Sequence, residues 1–195
     1  ADCEAENLRD EGIGTFAYAL GVAGGGYSVL SLLPKAERAL RAEPRAYWLL
    51  ALRGDLRRSP EVKDQEGSAA DFEAAALLAL RPGWIYGHLA RVRQGLGDEP
   101  RARAAADEAV AREPACGWLR TWRGEIKRKF HDLVGAAADF DAAMALDPDY
   151  ELTWACRGAV RLARGLIPAG RADFETALAL CPGLDWARRE LSRVL

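Results

Sequence analysis

The chain has 195 residues, half of them hydrophobic and 29% charged, with a formal net charge of −2. That balance supplies apolar surface for a large core without a disulfide or a metal, and it argues against disorder and against an overall nucleic-acid footprint. The longest apolar stretch, residues 13 to 33, is interrupted by Gly24-Gly25-Gly26 and followed by Pro34, so the sequence predicts a soluble protein with no membrane span.

In chain order, Leu8, Gly12 and Phe16 read as a first helix and the glycine run as its breaker. Ser31 stands where it could cap a second helix, which Ala36, Ala39 and Pro44 bring to an end. Prolines then punctuate the chain at Pro44, Pro82, Pro114, Pro148 and Pro182, with gaps of 38, 32, 34 and 34. A period near 34 is that of helix-turn-helix solenoids, in which one hairpin buries its apolar face only by stacking on its neighbours.

The second hairpin, residues 45 to 82, carries Gly54, the tripeptide Ala70-Asp71-Phe72 and Ala75, with an enlarged turn from Ser59 to Gly67. The third, 83 to 114, is two residues short between its prolines, which reads as a deletion in the connecting loop, and has Ala90 where the second has Gly54. The fourth, 115 to 148, repeats the pattern as Gly124, Ala138-Asp139-Phe140 and Ala143. The fifth, 149 to 182, does so as Gly158, Ala172-Asp173-Phe174 and Ala177. A single helix over 183 to 195 is left as a cap, exposing Arg188, Arg189, Glu190 and Arg193.

Each recurring position has a packing reason. Glycine inside a helix costs about 1 kcal/mol relative to alanine, so its recurrence at 54, 124 and 158 implies a neighbouring helix too close for a Cβ. The phenylalanines fill the wedge between helices. The prolines stop each second helix, because the residue before proline disfavours the helical region.

These units resemble tetratricopeptide repeats, whose pattern runs aromatic, Leu-Gly, aromatic, Ala, aromatic, Ala, Pro. The resemblance is good over residues 45 to 195 and weak over 5 to 44. It implies an all-α, right-handed α-solenoid domain over residues 1 to 195, of about five hairpins (5–44, 45–82, 83–114, 115–148, 149–182) plus a capping helix. Arg53-Gly54, Arg123-Gly124 and Arg157-Gly158 depart from Leu-Gly, a change tolerable if the arginine stem packs and its head reaches solvent.

The resemblance also places the first helix of each hairpin along a concave groove. There Trp48, Trp84, Trp118, Leu152 and Trp186 occupy one recurring position. They read either as a ladder of anchors for a bound peptide or as indoles stacked on the preceding repeat. Arg91 and Arg128 lie farther along the same faces, in a stretch whose fourth hairpin adds Lys127 and Lys129. The expected binding residues are therefore Trp48, Trp84, Arg91, Trp118 and Arg128, and the expected ligand is an acidic segment with an apolar residue. Trp122 and Trp154 are assigned to the core. A groove for the acidic C-terminal tail of chaperones is disfavoured, because Arg9, Ile13, Leu52, Trp84 and His88 hold its places and only Arg9 is basic. An asparagine ladder is excluded by the single Asn7.

Four cysteines, Cys3, Cys116, Cys156 and Cys181, and two histidines, His88 and His131, show no metal-ligand spacing. No cofactor or metal is expected, and unclustered thiols suit a reducing, cytoplasmic setting. No phosphate loop and no nucleophile with a base at motif spacing occurs, so the sequence does not predict an enzyme. Two readings stay open: a protein-interaction module, or a structural scaffold or docking arm of a larger assembly. The second would self-associate through the N-terminal hairpin, where Phe16, Tyr18, Leu20, Val22, Tyr27, Val29, Leu30, Leu32 and Leu33 supply more apolar surface than one end hairpin needs.

Overall fold

A computed structural model describes residues 29–80 and 83–193 of the chain. Those residues form ten α-helices and no strand. They are α1 (Val29–Ala42), α2 (Tyr47–Arg57), α3 (Gln65–Leu78), α4 (Gly83–Gly95), α5 (Glu99–Arg112), α6 (Gly117–Lys129), α7 (Leu133–Leu146), α8 (Glu151–Ala163), α9 (Ile167–Leu180) and α10 (Asp185–Ser192). Two compact units are formed, one ending at Arg112 and the other beginning at Glu113. In the first, α2 pairs with α3 and α4 with α5, while α3 also packs on α4 and α1 on α2. In the second, α6 pairs with α7 and α8 with α9, α7 packs on α8, and α10 closes against α9.

The second helices begin at residues 65, 99, 133 and 167, a constant step of 34, and the helices that precede the last three begin at 83, 117 and 151. The third hairpin is therefore full length, and the expected deletion is absent. What differs is the proline. Pro114, Pro148 and Pro182 each follow the last helical residue by two, whereas after α3 that place belongs to Leu80. The enlarged turn of the second hairpin is real but adds only two residues, since α2 starts 18 before α3 where the later pairs start 16 apart. At the N-terminal end Ser31 is inside α1 and is not its cap, and Pro34 is also accommodated within that helix. The expected first helix around Leu8 to Phe16 lies outside the described residues.

Among the described residues each of the four hairpin turns contains one residue with positive φ: Lys63 (57°), Gly97 (75°), His131 (65°) and Gly165 (77°), again 34 apart. After three of them an aspartate caps the next helix, Asp64 accepting from the Gly67 amide, Asp98 from that of Arg101 and Asp132 from that of Gly135.

Across the hairpins of α2–α3, α6–α7 and α8–α9 the interior is built the same way. Phe72, Phe140 and Phe174 are fully buried. A Cβ on Gly54 would lie 3.1 Å from the Phe72 ring and one on Gly124 2.7 Å from Phe140, while at Gly158 it would meet the Gly170 carbonyl at 3.0 Å and Phe174 at 3.2 Å. The arginine before each glycine does not simply send its head to solvent. Arg53, Arg123 and Arg157 each grip a buried aspartate with two nitrogens, Nε lying 2.9 Å from Asp71, 2.9 Å from Asp139 and 3.1 Å from Asp173. One turn on, Arg57, Lys127 and Arg161 reach the same carboxylates at 3.0, 2.8 and 2.7 Å. The aspartate of Ala-Asp-Phe is thus the bolt joining the two helices of a hairpin.

Candidate functional site

The first-helix faces expected to bind a ligand divide between the two units. In the first, Trp84, His88 and Arg91 recur on α4 at helical spacing and share one face. The His88 ring stacks on Phe72 at 5.4 Å and meets the Trp84 ring edge-on at 5.9 Å. Its Nδ1 lies 3.6 Å from Asp55, whose carboxylate also accepts from Arg58 Nε at 2.7 Å. Burial pushes the imidazole down to about 4, against the pull of Asp55. His88 is therefore a neutral, aromatic element of this face at physiological pH. Arg91 is exposed, and Trp48 is half-buried beside a shallow cleft at the Glu43 to Trp48 turn.

In the second unit Trp118 and Trp122 pack edge-on at 4.4 Å, and Arg128 is held by Glu125 through two hydrogen bonds of 2.7 Å. Leu152 and Trp186 pack against the cluster of Ala136, Phe140, Cys156 and Val160, so these two rungs of the ladder serve stacking. Trp84 and Trp118 do not project outward as free anchors: they are only 5% and 4% exposed and form the floor of their faces. Trp122 is buried and Trp154 packs half-buried against the cluster of Ala155, Phe174, Ala177 and Ala187, as expected of core positions, while donating to the Pro148 carbonyl at 2.8 Å with the Arg157 guanidinium over its ring. Of the N-terminal apolar residues, Leu32 is buried and Val29 and Leu33 pack around it, while Leu30 is exposed. Phe16 to Tyr27 lie outside the described residues.

Two features escaped the sequence reading. The first is the arginine–aspartate bolt, although Arg-Gly and Ala-Asp-Phe occur in the same three hairpins and are missing together from the third. The second is a cleft of about 340 Å³ in that third hairpin, among α3, α4 and α5. Among the described residues no cluster of side chains could hold a metal ion, and no helix is long and apolar enough to cross a membrane.

Compared by sequence, the chain matches no protein-family model and no curated protein. Compared by structure, it is similar to a thermophilic TPR protein of Thermus thermophilus, with a TM-score of 0.73 at 19% identity over 98% of both chains. It is also similar to YrrB, a TPR protein with an unusual peptide-binding site, with a TM-score of 0.65 at 15% identity over 97% of both chains. The first TPR of Spaghetti (RPAP3) bound to the HSP90 peptide SRMEEVD aligns at a TM-score of 0.55 and 22% identity, over 57% of this chain and 91% of its own.

Proposed function

From its tetratricopeptide-repeat fold, we propose that this chain is a non-catalytic protein-interaction module that holds a partner peptide or helix on its first-helix faces. Trp48, Trp84 and Arg91 serve the first unit, and Trp118 and Arg128 the second. The observation that carries this reading is the face of α4. Burial keeps His88 neutral between Phe72 and Trp84, making an apolar floor, and exposed Arg91 lies one turn away to receive a carboxylate. Trp84 shapes that floor, and Trp118, packed edge-on with Trp122, shapes the corresponding face of the second unit. The occupant we infer is an acidic segment with one apolar residue. Similar folds support a peptide as ligand, one of them bound to an acidic peptide and another described by its peptide-binding site. A cytoplasmic setting accords with the unclustered cysteines, of which Cys116 and Cys156 are buried and Cys181 is half-buried.

Selection from a displayed random-peptide library tests the reading. The intact chain should enrich acidic peptides carrying an apolar residue, and the Arg91→Glu and Arg128→Glu variants should lose that enrichment while keeping their helical content. Equal enrichment by the charge-reversed variants would reject the groove.

A scaffold role is favoured by one observation of its own. Leu30, Leu77 and Leu80 in the first unit are 61%, 86% and 97% exposed, large apolar side chains that a second copy could cover. Light scattering separates the two: a concentration-dependent increase in mass, abolished by Leu30→Glu, Leu77→Glu and Leu80→Glu together, would favour self-association.

A further inference from the structure

The chain carries, near its own N-terminal end, a segment of the chemistry that its first-helix faces are proposed to take. Residues 2 to 11, which lie outside the described residues, hold five carboxylates, Asp2, Glu4, Glu6, Asp10 and Glu11, against one guanidinium, Arg9. Leu8 is the one large apolar side chain among them. Their formal charge of −4 exceeds the −2 of the whole chain, and residues 12 to 28 are uncharged, so the rest of the chain carries +2.

The face of α4 offers the complement. Trp84 and the neutral His88 ring, stacked on Phe72, make an apolar floor. The charged groups around it are Asp55, Arg58 and Arg91. Arg58 Nε donates to Asp55 at 2.7 Å and offsets it, so the three sum to one positive charge, with Arg91 exposed. The second unit is a poorer receiver, because Glu125 already takes the Arg128 guanidinium through two hydrogen bonds.

The covalent reach is sufficient. Between Glu11 and Val29, where α1 begins, stand residues 12 to 28, a length that spans at most about 60 Å when extended. α1 packs on α2, and Asp55 of α2 lies 3.6 Å from His88 of α4. The face is therefore two helix spacings of about 8–10 Å from α1. A tether of that kind sets a local concentration on the order of millimolar.

Resting on the groove proposed above, we propose that residues 2 to 11 are an internal ligand of the α4 face. Leu8 lies on the floor of Trp84 and His88, a carboxylate beside it pairs with Arg91, and a partner peptide binds by displacing them.

Comparison of the intact chain with a variant whose five carboxylates are made amides, Asp2→Asn, Glu4→Gln, Glu6→Gln, Asp10→Asn and Glu11→Gln, decides the matter. The probe is a synthetic peptide of residues 2–11 carrying Cys3→Ser, and the readout is the Arg91 Nε–H signal in nitrogen-15 NMR spectra, assigned by its loss in Arg91→Gln. The signal should shift saturably in both chains and about tenfold more tightly in the variant, the factor by which a millimolar internal competitor weakens a site with a Kd of about 0.1 mM. A nitroxide on Cys3 in a Cys181→Ser chain, where Cys116 and Cys156 are buried and stay unmodified, should broaden the Arg91 and Trp84 side-chain signals. Arg91→Glu should abolish the broadening at Trp84, and this arm stands alone if the amide variant does not fold. Equal affinity in the two chains, a label that leaves Arg91 and Trp84 sharp, or broadening indifferent to Arg91→Glu would overturn the internal ligand and leave the groove standing. No saturable shift in the amide variant, from this peptide or from acidic peptides selected on the chain, would remove the groove and the internal ligand together.

Discussion

The third hairpin, α4–α5, and the fourth, α6–α7, have the same helix lengths and turn spacing, yet their interiors solve the same packing problem in opposite ways. The fourth joins its helices with a buried Asp139 between Arg123 and Lys127 and fits Phe140 against a glycine. The third has Leu89 and Ala105 in place of the ion pair, and Ala90 against Ala106 in place of Gly124 against Phe140, all four buried. The changes are coupled: a Cβ at residue 90 is possible because the ring opposite is gone. A buried ion pair and its apolar replacement can be nearly equivalent in stability, whereas half of a pair is not. The chain contains both solutions, and the cation that the third hairpin keeps, Arg93, is taken up by Glu73 of the preceding hairpin at 2.5 Å.

Breaking the bolt should have the largest effect. Asp139→Ala leaves two cations facing a buried gap and should destabilise by about 3–5 kcal/mol, nearer the lower figure because Arg123 and Lys127 retain some solvent. Adding Arg123→Leu, which copies the third hairpin, should recover a large part of that loss in urea unfolding. A double variant as unstable as the sum of its parts would show that the two hairpins are not alternative solutions.

The third hairpin alone has a histidine on its first-helix face, where the fourth has Trp122. The exposed imidazole ionises near pH 6.5, whereas folded His88 does so at about 4. Between those values the unfolded chain binds the extra proton, so this stability is complete above about pH 6.5 and is lost as pH falls toward 4, on the order of 3 kcal/mol in all. Asp55, Arg58 and Arg91 face the ring and tune the midpoint. The His88→Phe variant should flatten the dependence of unfolding free energy on pH over that window. An unchanged slope would place the proton elsewhere.

Gly124→Ala should cost about 1–3 kcal/mol, since the new methyl would lie 2.7 Å from the Phe140 ring. In a Phe140→Ala background the added penalty should shrink, because that pair is then Ala against Ala as at 90 and 106. Additive losses would refute the coupling. The smallest effect is the reverse change, Ala90→Gly, which should destabilise by about 1 kcal/mol through backbone entropy and leave the rest of the hairpin unmoved. A larger loss in thermal melts would mean that the Ala90 methyl fills space the ring occupies elsewhere.

Much of this was legible in the residues. Helix pairing, the close approach at the glycines and the buried phenylalanines follow from local spacing, because a period of 34 aligns small with large positions. The displaced Pro82 misled the register, since proline marks a helix end only through its own backbone and tolerates a shift of two residues, whereas packed side chains do not. The bolt was missed because arginine and aspartate are surface residues by habit, and nothing in either tripeptide alone says that they meet 16 to 18 residues apart. At the candidate site the sequence left open whether the tryptophans stand out or stack, and Trp84 and Trp118 are buried. An indole at a helix position fixes a direction, and how deeply it is covered depends on the helices packed around it.

The four turns have a further consequence. Each places a single left-handed residue at the same step, and two of them use Lys63 and His131 where glycine would serve without steric penalty. The last three joins also share one closing hydrogen bond, Asp98, Asp132 and Leu166 donating to the carbonyls of Arg93, Lys127 and Arg161, which makes the second helices that follow them interchangeable parts. A segment cut at one of these three left-handed residues and grafted at another meets the same turn and the same run of 14 helical residues. Such grafting would let the array acquire or discard its aspartate bolt one hairpin at a time by internal recombination, provided that the arginine on the other helix changes with it.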